Sequence, residues 1–213
     1  MYLATSNCAT MAIPLYLVNA FTNTVHGGNP AAVLLVDEFP EAAQKIAATL
    51  NQPIATFLRP TSVIEPGATS AAYDVRWWAS ETEVPICGHG TLAASGLLFS
   101  EPTLLPSSVT TISFRAASGA VLTAQKDGDW VEIKLASTIV QPPSHEVEGK
   151  IRAVLKKALG EDAPVTYLGL GGKGYETYMM VEVDESYNLG DHEVNIDALV
   201  SGHQSPAPLT IAF

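Results

Sequence analysis

The stretch Thr91–Phe99 constrains the fold more than any other part of the chain, because it reads as a helix that is apolar all the way round. A helix without a polar stripe cannot lie on a surface, so other elements must surround it. Ala93, Ala94 and Gly96 keep it thin enough for strands to approach closely. The candidate strands are Leu15–Ala20, Ala31–Val36, Tyr73–Trp78, Thr110–Arg115, Ala120–Gln125 and Trp130–Leu135. In the third of these, Tyr73, Val75 and Trp77 alternate with Asp74 and Arg76, the period of a half-buried strand that turns Asp74 to solvent. Glu41–Leu50 reads as a second helix, with Ala42, Ile46 and Leu50 on one face.

The remaining chain is differently organised. Ser137–Glu148 carries Pro and Ser and reads as a linker. Lys150–Leu159 is a helix with Ile151, Val154, Leu155, Ala158 and Leu159 on one face and Gly160 as its stop. Tyr175–Val183 and Leu209–Phe213 read as strands and Ile196–Ser201 as a short helix. Gly169–Gly174 satisfies the spacing G-x-G-x-x-G. A nucleotide site needs a helix directly after those glycines, and here a strand follows, so the run is a turn.

Composition removes several functions. A net charge of −11 with no basic run excludes nucleic acid as a partner. The apolar runs are far shorter than the ~18 residues of a membrane span, which excludes a membrane partner. There is no Cys/His spacing of a metal site, so no metal is expected. Between the two cysteines, Cys8 and Cys87, a disulfide is possible but unneeded, and with an N-terminus that has no basic start or long apolar stretch the expected compartment is the reducing cytoplasm.

The chemistry gathers where the apolar helix begins, in Pro85-Ile86-Cys87-Gly88-His89-Gly90-Thr91. A thiol and an imidazole lie two residues apart, and the glycines leave backbone N–H groups unobstructed. A helix start attracts anions through its unpaired N–H groups and its dipole. The same field favours the thiolate of a cysteine placed there, although a cysteine before a buried helix also serves as a small hydrophobe. His89 suits proton transfer at neutral pH. Asn19, Asn29 and Asn51 are polar residues able to orient a substrate, and each equally suits a turn. Trp77, Trp78 and Phe57 fit either a cleft wall or the core.

Two segments together carry a resemblance. Val18-Asn19-Ala20-Phe21-Thr22 followed by Gly27-Gly28-Asn29-Pro30-Ala31-Ala32-Val33-Leu34, and Glu83-Val84-Pro85-Ile86-Cys87-Gly88-His89-Gly90-Thr91-Leu92-Ala93, resemble the PhzF-like (phenazine biosynthesis-type) isomerase family of the diaminopimelate epimerase-like superfamily. The likeness runs from about residue 14 to residue 135 and weakens beyond. It implies an α+β fold: a barrel of antiparallel sheet around a central helix, with an incomplete second similar domain. The expected layout is a lead-in over 1–13, domain 1 over 14–136 and a partial domain 2 over 149–213. The resemblance also implies cofactor-independent proton transfer on a small metabolite. His89, Cys87 and Glu83 become the catalytic candidates. Asn19, Gly28, Asn29, Ile54, Gly88, Gly90 and Thr91 become the substrate-binding ones. Glu83 stands in the family's Glu-Val-x-x-Cys-Gly-His context and alternatively orders the loop by accepting backbone N–H bonds.

The chain departs from the family in one telling place. Where the family carries its acid/base glutamate in a stretch like Asn-Leu-Ser-Glu-Thr-Ala-Phe, this chain reads Asn51-Gln52-Pro53-Ile54-Ala55-Thr56-Phe57. An isoleucine cannot carry a proton. The family's late Asp-Pro-x-Thr-Gly-Ser-like segment is also missing, and no Asp-Pro dipeptide occurs. The expectation is an isomerase or cyclase of PhzF-like descent acting on a secondary-metabolite intermediate, with no cofactor, as a homodimer joined mainly by residues after Ser137, Leu209–Phe213 among them. The alternatives are a catalytically inactive binding or interaction protein on the same barrel, and a fragment of a longer enzyme.

Overall fold

The computed structural model describes residues 12–24, 26–160, 163–176, 178–201 and 210–212. The expected lead-in falls outside these residues except at 12 and 13, as do Cys8, Leu209 and Phe213. The chain divides into two compact units, Met1–Ala136 and Ser137–Phe213.

The first unit is built on β1 (Leu15–Ala20), β2 (Asn29–Leu35), α1 (Ala43–Leu50), β3 (Ala55–Pro60), β4 (Ser70–Ala79), β5 (Thr82–Val84), α2 (Gly88–Ser100), β6 (Thr111–Ala116), β7 (Val121–Asp127) and β8 (Trp130–Lys134). The main sheet runs β1-β2-β3-β4-β6-β7-β8, with β5 paired to β4. The helix apolar on every side is α2, and it packs against β1 and β8 at the two sheet edges as well as β2, β3 and β7. The sheet therefore curls around it. Ala93, Ala94, Ser95 and Leu98 are buried there.

The barrel is not antiparallel throughout. β2/β3 and β4/β6 run parallel, while β1/β2, β3/β4, β6/β7 and β7/β8 are antiparallel. Each parallel pair needs a crossover, and α1 and α2 supply them. α1 packs Ala43 and Ala47 onto Ala32, Leu34, Ala55 and Phe57 of β2 and β3. Those strands have α1 as well as α2 against them, and their side chains are buried in continuous runs rather than alternately. β4 keeps strict alternation, with Tyr73, Val75 and Trp77 inward.

The second unit comprises α3 (His145–Leu159), β9 (Val165–Leu170), β10 (Tyr178–Val183), a single 3₁₀ turn (Leu189–Asp191), α4 (Ile196–Ser201) and β11 (Thr210–Ala212). Its sheet order is β11-β10-β9. Ile151, Leu155, Ala158 and Leu159 of α3 pack on Leu168, Met179 and Val181. α3 begins inside the stretch read as a linker. Ser144 accepts a hydrogen bond from Val147 N, and Glu146 and Glu148 occupy the first turn. The Pro-Pro-Ser sequence is thus a helix start, with the serine as its cap. The glycine run closes β9 onto β10, a strand, where a nucleotide site would need a helix.

Candidate functional site

Two glycines set the local geometry, Gly28 between β1 and β2 and Gly90 in α2. Gly28 has φ +76°, and a Cβ there would lie 2.1 Å from the Ala20 carbonyl oxygen. Only glycine allows that approach. It brings Asn29 to the start of β2, paired with Ala20 of β1, while Asn19 pairs with Pro30. At Gly90, in the first turn of α2, a Cβ would lie 2.5 Å from Thr56 Oγ1 and 2.7 Å from Trp77 Cδ1. β3 and β4 therefore press directly on the helix start.

His89 reaches Asn29, 60 residues away in sequence, with both ring nitrogens. Its Nε2 lies 2.9 Å from the Asn29 carbonyl oxygen and its Nδ1 lies 3.3 Å from Asn29 Nδ2. Two such partners define a tautomer: Nε2–H donates to the carbonyl, and Nδ1 accepts from the side-chain amide. The Phe21 ring covers the imidazole at 5.9 Å between centroids.

Cys87 is the N-cap of α2. Its Sγ accepts from Gly90 N at 3.3 Å, and Thr91 Oγ1 donates to its carbonyl oxygen at 2.6 Å. The thiol is free and mostly buried. Burial raises its pKa above the ordinary thiol value, outweighing the backbone N–H groups of Gly90 and His89, which lower it. The thiolate expected from the helix dipole is thus overturned by desolvation. The sulfur caps the helix instead, leaving the Gly88 N–H as the first-turn donor without a partner among the described residues.

Glu83 is placed elsewhere. It accepts Arg76 Nε at 2.7 Å and a second bond from Arg76 Nη2. Its partner is thus a side chain on β4 rather than the backbone of the loop. Asp74 is three-quarters buried between Arg59 and Arg115 rather than free in solvent. Ile54 is 4% exposed and precedes β3, where its carbonyl accepts from Ala32 N. Phe57 and Trp77 are fully buried core, and of the two only Trp77 borders one of the cavities named below. So the fold joins Asn29 to His89 and Cys87 to Gly90 and Thr91, and sets Glu83 apart from both. Cavities of about 270, 490 and 1100 Å³ open in this unit, and none of the three is lined by Cys87 or His89. Phe21 and the arginines around Asp74 escaped the sequence reading. Phe21 stood inside a quoted motif, whereas nothing in the sequence paired the arginines.

The curled mixed sheet on one buried helix defines an α+β barrel-like fold. The phenazine biosynthesis-like protein family model matches residues 18–204, and the chain belongs to that family. It is 33% identical over 155 residues to the mouse phenazine biosynthesis-like domain-containing protein 1, covering 71% of this chain and 52% of that protein. It is 35% identical over 139 residues to an uncharacterized isomerase of Halalkalibacterium halodurans, covering 64% of this chain and 48% of that protein. The chain spans about half the length of the curated relatives it matches. Among solved structures, a PhzF-family protein of Enterococcus faecalis superposes with a TM-score of 0.61 at 25% identity, covering 94% of this chain and 67% of that one. A protein of Pseudomonas aeruginosa described as a predicted epimerase gives 0.62 at 20% identity, covering 91% and 68%, a likeness of fold alone. No helix among the described residues is long and apolar enough to cross a membrane.

Proposed function

We propose that this chain carries an isomerase-type proton-transfer site centred on His89 at the first turn of α2. The observation that supports the reading most is the grip of Asn29 on both imidazole nitrogens, which fixes ring and tautomer beside the Gly88 N–H. A small carboxylate-bearing substrate docks its anionic group at that N–H. Its acidic C–H then faces Nδ1, whose 3.3 Å bond to Asn29 Nδ2 is the longer of the two and the one substrate displaces. Nδ1 takes the proton, the electron pair moves along the substrate, and the same nitrogen returns the proton to a neighbouring carbon. No electrons are gained or lost, so the step needs no cofactor. Cys87, a buried thiol that caps the helix, holds the turn and does not carry the proton. The names of the relatives agree with an isomerase. Action on a secondary-metabolite intermediate, by a cytoplasmic homodimer, completes the proposal.

Ile54 favours a second reading. The apolar side chain stands where a glutamate is expected, so a protein that binds the metabolite at the α2 turn without converting it fits the same residues. The test is titration of the full chain with small carboxylates, read by amide and imidazole NMR. Shifts concentrated at Gly88 and His89 support the site, and their absence there removes it. Conversion of the bound compound then separates enzyme from binder.

A further inference from the structure

Three of the four arginines in this acidic chain line one cavity on the outer face of β4. Register brings them together: Arg59 on β3 lies beside Asp74 on β4, and Asp74 lies beside Arg115 on β6. Arg59 Nη2 bonds one Asp74 oxygen at 2.7 Å, and Arg115 Nε bonds the other at 3.2 Å. Arg76 is held by Glu83. Three guanidinium groups thus meet two carboxylates, leaving one positive charge over in a chain of net charge −11.

The donors are not used up. A guanidinium has about five N–H donors, and Arg59 and Arg115 each spend one on protein partners among the described residues. Both remain accessible, at 41% and 56% side-chain exposure. Phe39 braces Arg59 at 5.2 Å and Arg76 at 5.7 Å, and Trp78 braces Arg76 at 5.6 Å. Exposed ion pairs contribute little to stability, so stability alone does not account for gathering the arginines here. The cavity measures about 490 Å³, and Phe39 and Val121 give it apolar walls.

We propose that this cavity is a second binding site, distinct from the α2 turn, for a small organic anion. Its carboxylate or phosphate is gripped by the free donors of Arg59 and Arg115, whose planar forks match either group. Its apolar body lies against Phe39 and Val121. Asp74 fixes both guanidinium groups and competes with the ligand for them.

The test is calorimetric titration of the full chain with two probes, benzoate and inorganic phosphate. At least one binds with a millimolar or tighter Kd. Arg59→Gln and Arg115→Gln each weaken it about ten-fold or more, the loss expected for a charge-assisted hydrogen bond. Asp74→Asn tightens binding, an effect that misfolding cannot imitate. Phe39→Ala weakens benzoate but not phosphate. A response to benzoate alone identifies carboxylates as the ligand class, and a response to phosphate alone identifies phosphate esters. His89→Ala leaves binding unchanged, so the site stands or falls independently of the reaction proposed for His89. Failure of both probes to bind overturns the proposal. So does affinity indifferent to both arginine substitutions, or weakened in Asp74→Asn.

Discussion

Two glycines about 9 Å of helix apart should respond in opposite directions to the same substitution, at a rise of about 1.5 Å per residue. Both Gly90 and Gly96 belong to α2. A Cβ at Gly96 meets nothing within 4 Å, so no strand lies against this glycine as the sequence led one to expect, and Gly96→Ala gains the helix preference of alanine, about 0.5–1 kcal/mol. A Cβ at Gly90 meets Thr56 Oγ1 at 2.5 Å and Trp77 Cδ1 at 2.7 Å. Neither neighbour can retreat, since Thr56 and Trp77 are 0% and 1% exposed. Overpacking of this kind costs roughly 1–3 kcal/mol, against which a first-turn alanine recovers a fraction of the helix gain. Gly90→Ala is therefore expected to lose about 1–2 kcal/mol, separating the two variants by roughly 2 kcal/mol. Trp77, Trp78 and Trp130, the three tryptophans, all lie in the first unit, so urea unfolding followed by tryptophan fluorescence reads that unit. Equal midpoints for the two variants, or a destabilised Gly96→Ala, would refute the packing argument.

Other consequences concern the same helix start. The raised pKa of Cys87 means the folded state keeps a proton that the unfolded chain releases. Stability should thus be flat below the ordinary thiol pKa of about 8.5 and fall as pH rises from there through the folded value. Measured in a Cys8→Ser background, the alkaline loss should shrink in Cys87→Ser, and an unchanged slope would assign it to other groups. Thr91→Val should cost about 1 kcal/mol in urea unfolding, because it deletes the 2.6 Å bond to the Cys87 carbonyl while keeping the side-chain volume. Ile54→Glu buries a carboxylate at a 4%-exposed position, so its pKa should lie above the usual value of about 4.3. That variant should be most stable in acid and lose roughly 2–4 kcal/mol as pH rises through the raised pKa. A pH-independent urea midpoint would show that the new carboxylate reaches water.

The sequence made the central helix and its glycine turn legible because both signals are local. An all-apolar helix has one physical outcome, and Cys87–Thr91 could only be its beginning. What stayed hidden depends on contacts distant along the chain. The parallel pairing of β2 with β3 went unseen because Ala55–Leu58 is buried on every residue and shows no alternation. Ser144 was hidden by prolines that suit a linker as well as a helix start. Within the site, the turn carrying His89 was legible, but the 60-residue reach to Asn29 was not. The dipole argument for Cys87 named a real field and missed the larger effect of burial, which sequence position does not reveal. The Arg59–Asp74–Arg115 row exists only through strand register.

The most direct test of the proton-transfer account is deuterium incorporation from D₂O into small carboxylates with an acidic C–H, followed by NMR. The unmodified chain should exchange the C–H at a measurable rate. His89→Ala should lower that rate about 10²–10⁴-fold, the range typical of a lost general base. Asn29→Ala should slow exchange while leaving the imidazole in place, and Cys87→Ser should leave the rate near its original value. Exchange that survives His89→Ala, or that vanishes in Cys87→Ser while the fold persists, would contradict the account.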